Sequence, residues 1–158
     1  MLDVGMMKKL FRLTPNGADR LKAEHQGLLN QRLAIAERIK SARELGDLSE
    51  NAEYQTAREE QDRLETRISE VEHVLQNLQL IKKPKNASDV RLGSVVNLKS
   101  GSGKTQQFQI VGTIEADPLN GKISDESPIG RVLLGKKVGD KVELANSPPA
   151  TYKITSIS

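Results

Sequence analysis

The chain has 158 residues, 36% hydrophobic and 28% charged, a length that as a prior accommodates one domain or two small ones. It contains no cysteine and two histidines, His25 and His73, which excludes disulfides, thiol nucleophiles and cysteine zinc sites and leaves almost nothing for a histidine-built metal site. The net charge of +3 lies entirely in residues 85–158, where ten Lys and Arg stand against seven Asp and Glu; residues 1–84 carry fourteen of each.

Thr14-Pro15 opens a first helix, with proline tolerated in the first turn. Its apolar seam keeps a 3-4 spacing through Ala18, Leu21, His25, Leu28, Arg32, Ile35, Ile39 and Ala42. Gly46 reads as its left-handed C-cap. Asp47-Leu48-Ser49-Glu50 then reads as a capping box for a second helix, with Ser49 a competing cap. The second seam runs Tyr54, Ala57, Gln61, Leu64, Ile68, Val71, Leu75 and Leu78, and fades at Lys82-Lys83-Pro84. Each seam holds its phase for about four heptads, which predicts a coiled coil. The short break between them predicts an antiparallel hairpin on the order of 40 Å long.

A linker is expected over 84–88. Beyond it the pattern changes to period two, predicting strands over 95–98, 107–111, 141–144 and 151–157. One short helix interrupts them, capped by Ser127, with Pro128 in its first position and Gly135 closing it. The fold class is α+β, with an antiparallel coiled-coil hairpin over 1–84 and a compact antiparallel sheet with one short helix over 85–158.

Several features imitate chemistry without supporting it. Gly101-Ser102-Gly103-Lys104-Thr105 resembles a phosphate-binding loop, but the motif needs glycine where Leu98 stands and a following helix, and a strand follows instead. That segment reads as a hairpin turn. His25 on the first seam reads as a packed or register-setting polar residue, and His73, off the second seam, as solvated. The run Arg58-Glu59-Glu60-Gln61-Asp62-Arg63 reads as an exposed coil face. The aromatics (Phe11, Tyr54, Phe108, Tyr152) are too few for a base-stacking platform, so nucleic-acid binding is not expected as the main job. No run approaches the roughly 18–20 apolar residues of a membrane span, and the first residues lack a signal-peptide pattern. A cytoplasmic protein is expected.

The sharpest feature is the turn between the helices, where Glu44, Asp47, Glu50 and Glu53 crowd together. Acids here can cap the second helix and complement its dipole, at about 0.3–1 kcal/mol each. One carboxylate or hydroxyl is enough to cap, however, and Asp47, Ser49 and Glu50 are all present. Mg²⁺ is commonly held by one or two carboxylates together with phosphates and water. Two acids at the end of a rod can therefore complete a metal site housed in another protein.

Gly46-Asp47-Leu48-Ser49-Glu50-Asn51-Ala52-Glu53-Tyr54, followed by Ala57-Arg58-Glu59, resembles the tip signature of the Gre transcript-cleavage factors of bacterial RNA polymerase. Leu13-Thr14-Pro15-Asn16-Gly17-Ala18 is similar to that family's start, and the run from Ser124 to Lys136 (Ser-Asp-Glu-Ser-Pro-Ile-Gly-Arg-Val-Leu-Leu-Gly-Lys) to its C-terminal signature. The resemblance implies an FKBP-like C-terminal domain that docks at the rim of the polymerase secondary channel. It also implies a monomer whose coiled coil reaches the active centre, with no membrane partner. By position, Asp47 and Glu50 would assist a polymerase-bound Mg²⁺ and the attacking water. The protein would then be a cofactor of the polymerase's own RNA cleavage rather than an enzyme, with no cofactor of its own. Glu126, Ser127 and Pro128 would form the docking loop; some relatives carry Asp in place of Glu126. Arg43 and Arg58 fall at e positions on one flank of the rod, roughly 7–8 Å apart along its axis. They would hold phosphates of the nascent RNA 3′ end in the backtracked complex; otherwise Arg58 pairs with Asp62 along its own helix. The rival readings are a secondary-channel inhibitor with the same fold, an FKBP-like prolyl isomerase and a plain coiled-coil scaffold.

Overall fold

The computed structural model describes residues 10–47, 50–82, 88–144 and 150–158. The expected Ser49 cap lies outside the described residues, as does the expected linker over 84–88 apart from Ser88. Two compact units are present: Ala18–Asn77 forms one, and Lys9–Gly17 joins Leu78–Ser158 in the other.

The first unit is a pair of long helices, α1 (Pro15–Arg43) and α2 (Ala52–Gln76). Their buried residues are those of the two seams: Ile35, Ile39 and Ala42 from α1, with Ala57, Leu64, Ile68 and Val71 from α2. Burying each of the large aliphatics contributes about 1.5–3 kcal/mol. Ion pairs across the seam establish the antiparallel sense. Arg67 bonds Glu24 at 2.7 and 3.0 Å, and Arg32 bonds Glu65 at 2.7 and 2.9 Å. Arg38 reaches both Glu60 and Glu53. His25 sits 3.0 Å from Glu72, so its seam position is filled by a paired polar group.

The second helix stops earlier than its heptads predict. Asn77 closes the last turn, its side-chain amide donating to the His73 carbonyl at 2.8 Å, a local bond that competes with helix continuation. Leu78–Leu80 is then a strand, β2, rather than helix. It pairs in parallel with β1 (Phe11–Leu13), in the register Phe11↔Leu78 and Leu13↔Leu80. Neither strand is visible in the sequence pattern.

The rest of the second unit is a five-stranded sheet in the order β5-β4-β3-β7-β6. Its strands are β3 (Val95–Ser100), β4 (Thr105–Val111), β5 (Lys122–Ser124), β6 (Lys141–Leu144) and β7 (Ala150–Ile157). All pairs are antiparallel except β4 with β5, which makes the sheet mixed. Alternation sends Val96, Leu98, Ile110, Val142, Leu144 and Ile154 to one face, where Leu133 of the short helix α3 (Pro128–Leu133) joins them in the core. The segment that imitates a phosphate loop is the β3–β4 hairpin turn. There Ser100 N donates to Lys104 O at 2.8 Å, and Gly103 takes a φ of 91° that a side chain would disfavour. No described helix is long and apolar enough to cross a membrane.

Candidate functional site

The helical hairpin turns at its tip through a loosened last turn of α1. Leu45 N donates to Ala42 O at 3.1 Å, and Gly46 follows with a φ of 121°. The cap of α2 is not the expected Asp47-to-Glu50 box but Asn51. Helix α2 begins at Ala52, so the residue placed to bond the free N–H groups of its first turn is the one just before it. Asn51 Oδ1 accepts from Tyr54 N at 3.0 Å. Its amide nitrogen meanwhile donates to the Ala42 carbonyl at 2.7 Å, tying the end of α1 to the start of α2. One side chain thus satisfies an orphan donor of one helix and an orphan acceptor of the other.

This arrangement separates the four acids. Glu53 is drawn onto the flank of the rod by Arg38, at 3.2 Å. Glu44, Asp47 and Glu50 are exposed in the turn region. Among the described residues no three acidic or histidine side chains are grouped to hold a metal ion. Two exposed carboxylates, Asp47 and Glu50, suit an oxygen-seeking cation that takes its remaining ligands from elsewhere. That donor set fits a shared Mg²⁺ and not a resident one.

The two arginines singled out by register are both at the surface. Arg43 lies over the Tyr54 ring, 5.9 Å from its centroid, within cation–π range. Stacking of this kind engages the face of the guanidinium, whereas phosphate recognition uses its N–H edge. Arg58 donates to Gln61 Oε1 at 2.8 Å, so its partner along the helix is the amide three residues on rather than Asp62.

In the second unit, Ser127 and Pro128 start α3 as the sequence predicts. Ser127 Oγ accepts from Gly130 N at 3.1 Å and donates to Ser124 O at 2.7 Å. Gly130 is required there, because a Cβ would run into the Ser124 carbonyl. Glu126 is exposed and accepts from Thr113 Oγ1 at 3.2 Å. Beside it Asp125 pairs with Arg12 of β1 at 2.9 Å, which braces the loop from a strand that no local pattern reveals. An apolar cavity of about 460 Å³ adjoins Ser127 and Pro128, walled by Ile123, Ile129, Val132 and Leu144 and by no aromatic side chain. Sequence reasoning missed this cavity because its walls come from β5, α3 and β6, which only the folded sheet brings together.

Comparison with known proteins covers both units. Residues 11–80 match the family model described as transcription elongation factor, N-terminal, and residues 84–158 the model described as transcription elongation factor, GreA/GreB, C-term. The transcription elongation factor GreA of Lactococcus lactis subsp. cremoris is 50% identical over 141 residues, 87% of this chain and 90% of the relative. That of Acholeplasma laidlawii is 44% identical over 155 residues, 96% and 98% of the two chains. Among solved structures, GreA factor homolog 1 of Thermus thermophilus is 28% identical with a TM-score of 0.45, covering 95% of this chain and 99% of the other.

Proposed function

The chain belongs to the GreA/GreB family of transcription elongation factors, and from that membership we propose that it binds bacterial RNA polymerase at the secondary-channel rim and stimulates cleavage of the nascent transcript in backtracked complexes. In this reading the protein is a cofactor of the polymerase's own hydrolysis and acts where polymerase is, in the cytoplasm. The observation that carries the site assignment is the Asn51 cap. Because Asn51 bonds Tyr54 N, helix α2 does not depend on Asp47 or Glu50 for its cap.

Asp47 and Glu50 would hold a Mg²⁺ shared with the polymerase active centre. When bound, that ion supplies charge stabilisation and lowers the pKa of water in phosphodiester hydrolysis. The carboxylates themselves are hard oxygen ligands and hydrogen-bond acceptors, able to orient a water molecule. Arg43, held over Tyr54, and Arg58, on the same flank of the rod, would grip phosphates of the RNA 3′ segment. The loop of Glu126, Ser127 and Pro128, stiffened by the α3 cap and braced through Asp125, would dock on the polymerase.

Transcript cleavage by backtracked polymerase, measured with and without the protein, tests the reading. Asp47→Asn and Glu50→Gln should each lower stimulation at least tenfold while changing polymerase affinity less than twofold, since docking is assigned to the other unit. Normal cleavage by both variants would remove the acids from the mechanism. Cleavage of free RNA by the purified protein would overturn the cofactor role.

A further inference from the structure

The face of the five-stranded sheet opposite the core carries an arrangement that stability does not explain. In register, Lys99 of β3 lies directly across from Lys153 of β7, and Lys153 directly across from Lys141 of β6. Directly opposed residues in antiparallel strands are about 4.5–5.5 Å apart, and like charges at such positions are destabilising. All three lysines are exposed, and none makes an ion pair among the described residues. Thr105 of β4, opposite Lys99, extends the row across a fourth strand.

A second observation coincides with the first. A shallow groove of about 340 Å³ is lined by Lys99, Lys141 and Lys153, with Ser100, Thr151 and Thr155 alongside. Its floor is hydroxyl and ammonium groups above a packed sheet. The β3–β4 turn, the segment that imitates a phosphate loop in the sequence, forms one end of it through Gly101. The acids nearby are few. Glu143 shares the outer face of β6, two residues from Lys141, and Asp140 is turned to the Lys137 backbone N–H at 2.8 Å.

We propose that this lysine row is a contact surface for the phosphate backbone of duplex DNA. Three collinear ammonium groups across two strand spacings cover about 10 Å, enough to meet neighbouring phosphates. Lysine acts as a point charge toward phosphate, whereas recognition of carboxylates on a protein partner favours the planar fork of arginine, which this face lacks. Single strands are held by stacking on aromatic rings, and the aromatic of β7, Tyr152, is buried on the core side with 5% exposure. A duplex presents phosphates without requiring stacking. The choice of DNA over RNA rests on the family reading, which brings the protein to a transcribed template; the placement of the site does not.

The test measures binding of the purified full-length protein to a short DNA duplex across a salt series, with no polymerase present. Its failure is thereby distinguishable from a failure of transcript cleavage. Three neutralised phosphates contribute about −2.7 to the slope of log affinity against log salt, or about 40-fold between 50 and 200 mM. Lys153→Gln should reduce the slope by about 0.9, and the triple variant with Lys99→Gln and Lys141→Gln by about 2.7. Lys22→Gln on α1, a matched loss of charge, should leave it unchanged. Removing a like charge should also let Lys153→Gln melt at or above the parent temperature in low salt, which shows it folded. A slope untouched by the triple variant, equal affinity for polyglutamate or for single-stranded DNA, tighter binding to duplex RNA, or a Lys153→Gln melting point below the parent would overturn the proposal.

Discussion

At the scale of single residues, Asn51 makes the clearest case for separating a cap from a functional acid. Its two hydrogen bonds, to Tyr54 N and to Ala42 O, are chemically distinct and can be removed one at a time. Asn51→Ala loses both and should lower the stability of the hairpin by about 1–2 kcal/mol. Asn51→Asp keeps the acceptor for Tyr54 but sets a carboxylate against the Ala42 carbonyl. Amide exchange of Tyr54 should therefore speed up in the alanine variant and remain protected in the aspartate variant; equal exchange in the two would show that Asn51 is not the cap. The sequence displays the acids of this turn openly, and the heptad register already brings Ala42 beside Tyr54. The identity of the cap was not legible, because capping rules favour Asp47 and Ser49 with an acid three places on, whereas the third helical residue here is Tyr54. The bond to Ala42 reaches nine residues back across the turn, and no local rule encodes it.

At the scale of elements, the coiled coil was readable because its contacts repeat every seven residues and its partner helix is adjacent in sequence. Its ion pairs give it a pH dependence. The Arg67 hydrogen bonds hold the Glu24 carboxyl below its ordinary value of 4.5, and Arg32 does the same for Glu65. A carboxylate whose pKa is depressed by folding stabilises the folded state above the unfolded pKa and loses that contribution as pH falls through the folded value. Helix melting followed by circular dichroism should thus shift to lower temperature as pH drops from about 5 toward 3. A variant carrying Arg32→Gln and Arg67→Gln should show a smaller shift, and so should 1 M salt, since these pairs are largely exposed. An unchanged shift in the variant would assign the acid sensitivity to other groups. The strands divide by the same logic of range. β3, β4, β6 and β7 alternate over four to eight residues and were legible. β1, β2 and β5 have three residues each, too few for a period to register.

At the scale of the whole chain, Lys9–Gly17 is grouped with Leu78–Ser158, so the chain enters the C-terminal unit, leaves it as a helical hairpin and returns. Period and turn signals cannot show this, because the bonds involved link Thr14 to Glu115, 101 residues away. The Glu115 carboxylate, 6% exposed, accepts from Thr14 N at 2.9 Å and also from the Thr14 hydroxyl, while Lys122 lies 3.9 Å from it. Thr14 Oγ1 in turn accepts from Gly17 N at 3.1 Å and caps α1. Gly17 is where this network becomes testable, since a Cβ there would collide with the Glu115 carboxylate. In the parent protein Gly17→Ala must displace that carboxylate from Thr14, and should destabilise by about 1–3 kcal/mol through the lost hydrogen bonds to a charged group. Glu115→Ala should cost a similar amount, and it empties the space the new methyl group needs. Gly17→Ala made in the Glu115→Ala background should then be stabilising by about 0.5–1 kcal/mol, the ordinary gain of alanine over glycine in a helix. The reversal of sign between the two backgrounds, read from denaturant unfolding of the four proteins, is a coupling that only direct contact produces. If Gly17→Ala has the same sign and size in both backgrounds, Glu115 does not hold the start of α1, and the return of the chain is secured by the pairing of β1 with β2 alone.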